Sequence, residues 1–116
     1  MLFSDRLFKT VEPVWNSYLE HPFVKGIGKG TLDKEKFIHY MKQDYVYLIE
    51  YSRVFAIGST KANDLKTMTI FANLLHGTMN FEMDLHREYA EKFGITNEEL
   101  EATEPSATMT AYTSYM

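Results

Sequence analysis

Cysteine is absent from this sequence of 116 residues, and there are only six glycines and three prolines. Without cysteine, these residues cannot form a disulfide framework, a thiolate metal site or a cysteine nucleophile. Because helix breakers are few, the sequence predicts an all-α fold. It also lacks a signal-peptide core and an unbroken apolar run of about 18 residues, which predicts a cytoplasmic protein.

Basic residues are outnumbered as well, with 12 Lys and Arg against 16 Asp and Glu and a formal net charge of -4. Nucleic acids and anionic membranes are bound through basic surfaces, so this balance argues against both as main partners. A hydrophobic content of 45% is typical of a globular chain and not of a disordered one. We therefore expect residues 1–116 to form a single helical domain.

Apolar residues recur at steps of three and four along most of the chain, which is the period of a helix face. The pattern predicts a first helix from Ser4 to Glu20, kinked or split at Pro13, and then a structural turn over residues 21–30. Asp33 is a good N-cap for a second helix that ends near Gly58.

The rest of the pattern predicts a long helix that is capped by Asn63 or Asp64 and ends at Gly94 in what resembles a Schellman motif. Thr96 and Glu99 form a capping box for a short helix, and a last helix begins near Ser106 or Thr108. The chain stops inside an apolar pattern, so we expect it to be the N-terminal portion of a larger bundle.

Asp44 interrupts the apolar seam of the second helix, which consists of Phe37, Met41, Leu48, Tyr51 and Phe55. Burying a carboxylate costs several kcal/mol unless it is paired or hydrogen-bonded. The residue is therefore either functional or satisfied by a tyrosine or arginine of another helix. Four tyrosines surround it: Tyr40, Tyr45, Tyr47 and Tyr51. An aspartate beside tyrosines can bind a flat, nitrogen-bearing ring, although aromatic residues at helical spacing are also ordinary core residues.

Glu82 and His86 are one helical turn apart, on or beside the core stripe of the third predicted helix. Such pairs can bind iron or manganese in helical bundles, but only with further ligands on facing helices. We expect a salt bridge or a buried hydrogen bond between the two residues in preference to a metal site.

Five short motifs in this sequence together resemble those of a known protein family. They are His21-Pro22-Phe23-Val24, Gln43-Asp44-Tyr45-Val46-Tyr47-Leu48, His76-Gly77-Thr78, Leu85-His86-Arg87-Glu88 and Ala111-Tyr112-Thr113-Ser114-Tyr115-Met116. In this order and at these separations they resemble the TenA/thiaminase II family, and the resemblance covers the whole chain.

This resemblance implies an all-α, haem-oxygenase-like bundle and a role in thiamin salvage. Members hydrolyse 4-amino-5-aminomethyl-2-methylpyrimidine to the hydroxymethyl pyrimidine with release of ammonia, and they can cleave thiamin. The resemblance further implies a cytoplasmic homotetramer with a small-molecule pyrimidine substrate and no metal or organic cofactor.

The resemblance also assigns roles to individual residues. Asp44 matches a catalytic aspartate that holds the nitrogen edge of the pyrimidine, and Tyr47 matches a catalytic tyrosine of the pocket. Tyr51 and Tyr112 match substrate-binding aromatic residues. The family's nucleophilic cysteine and acidic glutamate are expected after residue 116. A regulatory or interaction protein without enzymatic activity, or a di-metal oxidase on the same fold, is the alternative.

Overall fold

A computed structural model describes all 116 residues, and it contains helices and no strands, which confirms the predicted all-α class. The helices are α1 (Phe3–Glu20), α2 (Pro22–Lys29), α3 (Lys34–Lys61), α4 (Leu65–Gly77), a π-helical turn (Thr78–Glu82), α5 (Met83–Lys92), α6 (Asn97–Glu101) and α7 (Ala107–Tyr115). None of these helices has the length and apolar character needed to cross a membrane. The chain divides into two compact units, Met1–Phe37 and Ile38–Met116.

In the first unit, α1 begins at Phe3, where the Asp5 carboxylate accepts a hydrogen bond of 2.9 Å from the backbone N–H of Leu2. The helix continues through Pro13 and is not split there. A proline removes only one backbone hydrogen bond from a helix of 18 residues. The backbone hydrogen bonds on both sides of Pro13 are numerous enough to keep the helix continuous. No residue of α1 is buried.

The predicted turn over residues 21–30 is wrong, because Pro22–Lys29 form α2. His21 caps this helix by accepting a hydrogen bond of 3.1 Å from the Phe23 N–H at its Nδ1 atom. Proline follows at the first helical position, where its fixed φ angle favours a helix. Gly30 then ends the helix at a φ of 68°. These strong end signals outweigh the low helix propensity of the internal glycines.

In α3, Asp33 caps the helix start as predicted, since its carboxylate accepts a hydrogen bond of 2.8 Å from the Glu35 N–H. The helix does not end at Gly58 but extends to Lys61. The glycine serves close packing instead: a Cβ atom at this position would lie 2.7 Å from the ring of Phe71 on α4. Gly58 therefore marks a helix contact and not a helix end.

The predicted third helix starts at its Asp64 cap, with a hydrogen bond of 2.8 Å from the Thr67 N–H. Helix α4, the π-helical turn and α5 follow without a break. Gly94 has a φ of 76°, and the Ile95 N–H donates to the Ala90 carbonyl at 3.1 Å, which confirms the Schellman-type end.

The π-helical turn shifts the buried face of this long segment. The buried residues from the π-helical turn to the end of α5 are Thr78, Met83, His86 and Ala90. Thr78 and Met83 are five positions apart, whereas successive buried residues of an α-helix are three or four apart. A π-turn adds a residue to one turn and rotates everything that follows. Of the two residues expected on or beside the core stripe, His86 is buried on it, whereas Glu82 is exposed beside the buried Met83.

Candidate functional site

Asp44 lies in the middle of α3, and its side chain is 28% exposed. One turn before it on the same helix, Met41 is buried, and one turn after it Leu48 is buried. The half-buried carboxyl of Asp44 thus lies between two buried apolar residues of the same helix. A group so placed is shielded by the core and is also open to a ligand.

The partner of Asp44 is His86 of α5. The distance from His86 Nδ1 to Asp44 Oδ2 is 3.4 Å, and the histidine side chain is only 7% exposed. The other ring nitrogen, Nε2, lies 2.7 Å from the backbone carbonyl oxygen of Met41. A carbonyl oxygen can only accept, so Nε2 carries a proton and Nδ1 faces the carboxyl.

Burial raises the pKa of the Asp44 carboxyl above its ordinary value. The nearby His86 opposes this shift and lowers the pKa, whereas the negative charge of Glu82 raises it. Because burial has the largest effect, the fold favours the protonated carboxyl more than water does. A carboxyl of this kind can hold a proton against the ring nitrogen of a ligand.

Aromatic side chains continue this face of α3 in the C-terminal direction. The rings of Tyr47 and Tyr51 stack with centroids 5.4 Å apart and planes 18° apart. Phe55 follows Tyr51 at 4.5 Å, and Tyr112 of α7 approaches Tyr47 at 5.7 Å. Residues 44, 47 and 51 are separated by three and four positions, which places their side chains along one helix face.

Burial raises the pKa of Tyr47 to about 12, and the neighbouring phenols of Tyr112 and Tyr51 contribute to the rise. Asp44 also contributes through its negative charge. The phenol therefore keeps its proton at every physiological pH and can donate a hydrogen bond.

Helix α7, which carries Tyr112, is fixed to α3 by the residue before Asp44. The Gln43 side chain donates to the Glu104 carbonyl at 3.0 Å and accepts from the Ser106 N–H at 2.9 Å. Ser106 in turn caps α7 by accepting from the Met109 N–H at 3.1 Å. One amide thus sets the position at which the helix of Tyr112 begins. The helix starts at Ala107, after its Ser106 cap, which confirms the predicted start near Ser106 or Thr108.

The structure brings Tyr47, Tyr51 and Tyr112 together, and it places Asp44 on the face of α3 that carries the first two. Tyr112 is 58% exposed. The expected pairing of Glu82 with His86 is wrong, because His86 pairs with Asp44. Sequence reasoning expected a tyrosine or arginine as the partner of Asp44 and missed the histidine.

Two further contacts were not anticipated. Gln43 precedes Asp44 in a motif, but its role depends on a loop more than 60 residues later in the chain. Tyr45 is the most deeply buried tyrosine, at 1% exposure, and its hydroxyl contacts the Glu101 carboxylate and the Arg87 guanidinium. The structure brings together no group of three or more His, Cys, Asp or Glu side chains suited to a metal ion.

The chain is an all-α protein with a carboxyl and several tyrosines on one helix face. The family model described as TENA/THI-4/PQQC matches residues 8–116. The chain belongs to this family, which confirms the resemblance found in the sequence.

Relatives with curated names agree with this membership. The chain is 58% identical over 116 residues to an aminopyrimidine aminohydrolase of Halalkalibacterium halodurans, covering 100% of this chain and 52% of the relative. It is 41% identical over 116 residues to an aminopyrimidine aminohydrolase of Helicobacter pylori, covering 100% of this chain and 54% of the relative. The chain therefore spans about half the length of the curated relatives that it matches.

A solved structure shares the fold. The TenA homologue from P. horikoshii OT3 superimposes with a TM-score of 0.94 at 30% sequence identity. The match covers 99% of this chain and 54% of the other.

Proposed function

We propose that the protein is an aminopyrimidine hydrolase of thiamin salvage. It would convert 4-amino-5-aminomethyl-2-methylpyrimidine and water into the hydroxymethyl pyrimidine and ammonia, and it would also cleave thiamin. The observation that carries the proposal is the half-buried, histidine-paired carboxyl of Asp44, which shares a helix face with stacked tyrosines. The names of the relatives support the same substrate class.

In this proposal Asp44 binds the nitrogen edge of the aminopyrimidine. The exocyclic amine donates to the carboxyl, and the adjacent ring nitrogen accepts a proton that the carboxyl holds. When a nucleophile adds to the electron-poor ring, an electron pair moves onto that nitrogen. A proton delivered by Asp44 neutralises the developing charge, and this stabilisation is greater in the transition state than in the bound substrate.

The aromatic residues would hold the ring in place. Tyr51 and Tyr112 offer faces and edges for a planar ring, and such contacts are each worth about 0.5–1.5 kcal/mol beyond the area that they bury. Tyr47, protonated because of its raised pKa, can donate a hydrogen bond to the nucleophile or to the departing amine. After that amine has left as ammonia, water adds to the methylene carbon. The nucleophile then leaves the ring and the ring nitrogen returns its proton to Asp44, which releases the hydroxymethyl pyrimidine.

The nucleophile is a cysteine thiolate in the family pattern, and these 116 residues contain no cysteine. The chain therefore supplies the groups that recognise the pyrimidine, and we assign nucleophilic attack to a residue outside it. We further propose that the protein acts in the cytoplasm as a homotetramer, in line with the family resemblance.

The test is an assay of ammonia release by the full-length protein, coupled to glutamate dehydrogenase. We expect ammonia from the aminomethyl pyrimidine in equal amounts with the hydroxymethyl product, and none from a pyrimidine that lacks the aminomethyl group. A folded full-length protein that releases no ammonia and does not cleave thiamin would contradict the proposal.

A further inference from the structure

The imidazole of His86 bridges one turn of α3. Its Nε2 atom lies 2.7 Å from the Met41 carbonyl oxygen, and its Nδ1 atom lies 3.4 Å from Asp44 Oδ2. Met41 and Asp44 are three residues apart on the same helix, so the ring is held at two points of one rigid element. The orientation of the ring toward the carboxyl is therefore fixed before any ligand binds.

We propose that His86 is a positioning residue for the aminopyrimidine reaction: its Nδ1 atom holds Asp44 in place and exchanges a proton with it as charge moves onto the pyrimidine ring. This inference rests on the proposed function above. It assigns a second proton position behind the carboxyl, on the side that is closed to solvent.

Proton counting supports the assignment. The Met41 carbonyl can only accept, so Nε2 is protonated in either charge state of the ring. Nδ1 then either carries a second proton and donates it to an ionised Asp44, or accepts a proton from a neutral Asp44. In both states one proton lies between the two groups, and it passes from nitrogen to oxygen when the 3.4 Å separation shortens to hydrogen-bonding distance. In the substrate complex Asp44 carries a further proton on its other oxygen while Nδ1 is still protonated. When that further proton moves to the pyrimidine nitrogen, the Nδ1 proton moves onto the carboxyl, which leaves Asp44 neutral and His86 neutral with its proton on Nε2.

Burial explains why this pair, and not water, would hold the proton. The His86 side chain is 7% exposed and that of Asp44 is 28% exposed, so only the carboxyl side is accessible. A hydrogen bond to Met41 alone would already satisfy one nitrogen of a structural histidine. The second nitrogen faces a carboxyl that has itself been partly removed from water. Burying that carboxyl costs free energy unless it is paired with another group.

The ionisable groups that interact with Asp44 lie on three elements. Glu82 of the π-helical turn and His86 of α5 act on Asp44, and Asp44 acts in turn on Tyr40 and Tyr47 of its own helix. Of these, His86 is the one that lowers the pKa of Asp44. Loss of the histidine should therefore move the titration of Asp44 to higher pH.

Groups on the far side of His86 belong to a separate network. The ring of Tyr45 lies 5.9 Å from the imidazole, and its hydroxyl contacts Arg87 and Glu101. None of these contacts involves a ring nitrogen of His86. A substitution of His86 can thus be designed to leave this network intact.

Two variants of the full-length protein separate the anchor from the proton. His86→Gln places an amide where Nε2 lies and preserves a donor to Met41, but it removes the group that faces Asp44. His86→Asn places an amide near Nδ1 and preserves a donor to Asp44, but it cannot exchange a proton. His39→Gln, at an exposed position of α3, is the matched control.

We expect His86→Gln to lower kcat by about 10- to 100-fold with little change in KM. This is the range seen when a side chain that orients a metal-binding residue is lost, and His86 orients Asp44 in a comparable way. The Asn variant should not restore kcat. In both variants the ¹³C signal of the Asp44 carboxyl should titrate at higher pH than in the wild type, whereas the control should match the wild type. Wild-type kcat and an unmoved Asp44 titration in both His86 variants would overturn the inference.

A third measurement does not depend on how well the variants fold. In the wild-type protein, ¹⁵N shifts of the imidazole should show a proton on Nε2 throughout the titration of Asp44. A ring protonated only on Nδ1 would overturn the proton arrangement. If the wild type releases no ammonia, the proposed function fails, and these shifts still decide whether the two groups share a proton.

Discussion

Replacing Asp44 by asparagine preserves the size of the side chain and removes its ability to hold a proton. In the proposed reaction this proton stabilises charge that appears on the pyrimidine nitrogen only as the transition state forms. Loss of one such group typically costs about 10²–10³ in rate, or about 2.7–4 kcal/mol. We therefore expect kcat and kcat/KM of Asp44→Asn to fall together by this factor, with KM changing much less.

Stability should respond in the opposite way. The folded protein raises the pKa of Asp44 above its unfolded value, so the fold binds this proton more tightly than the unfolded chain does. The resulting stabilisation is complete below the unfolded pKa and is lost as the pH rises through the folded pKa. At pH values above the folded pKa the ionised carboxyl therefore opposes folding, and a neutral amide removes that cost. Asp44→Asn should melt at the same temperature as the wild type or higher.

The assay combines ammonia release at several substrate concentrations with thermal unfolding of the same preparation. Asp84→Asn is the matched control, because Asp84 is an exposed aspartate on α5 whose side chain is 68% exposed. It should keep wild-type kinetics. Normal kcat and KM in Asp44→Asn would refute the reasoning, and a rise in KM alone would show that Asp44 only anchors the bound substrate.

Three other substitutions test the packing around the site. Gly58→Ala should lower stability by about 1–3 kcal/mol in chemical denaturation, because the new methyl group would meet the Phe71 ring at 2.7 Å. Gly77→Ala is its control, since nothing lies within 4 Å of the added Cβ, and helix propensity should raise stability by up to about 1 kcal/mol. Gln43→Ala removes two hydrogen bonds to the segment before α7 and should cost about 1–3 kcal/mol while raising KM, because Tyr112 loses its fixed position. Equal unfolding midpoints for the two glycine variants, or an unchanged KM for the glutamine variant, would contradict these expectations.

Much of the fold follows from local signals that the sequence displays. Asp33 caps its helix as predicted, and of the two candidates Asn63 and Asp64 it is Asp64 that caps the next, because an N-cap depends only on a side chain and the backbone two or three residues later. The helix over Pro22–Lys29 was missed because its glycines indicate a turn, whereas the histidine cap and the proline at the first position decide the outcome.

The site was accessible from the sequence only in part. Asp44 stands out because it interrupts an apolar seam, and the motif around it resembles a known family. Its partner could not be assigned, because the π-helical turn adds one residue to the register and moves His86, instead of Glu82, to the buried face. No motif in the sequence before residue 78 indicates that the helix gains an extra residue in its next turn.

We propose that Asp44 and the tyrosines of its helix face bind an aminopyrimidine. A crystal structure of the full-length protein with the hydroxymethyl pyrimidine product tests it most directly. The account predicts the exocyclic amine and the adjacent ring nitrogen within hydrogen-bonding distance of the Asp44 carboxyl, with the ring against Tyr51 or Tyr112. A pyrimidine bound away from Asp44, or facing it with the methyl group, would contradict the account.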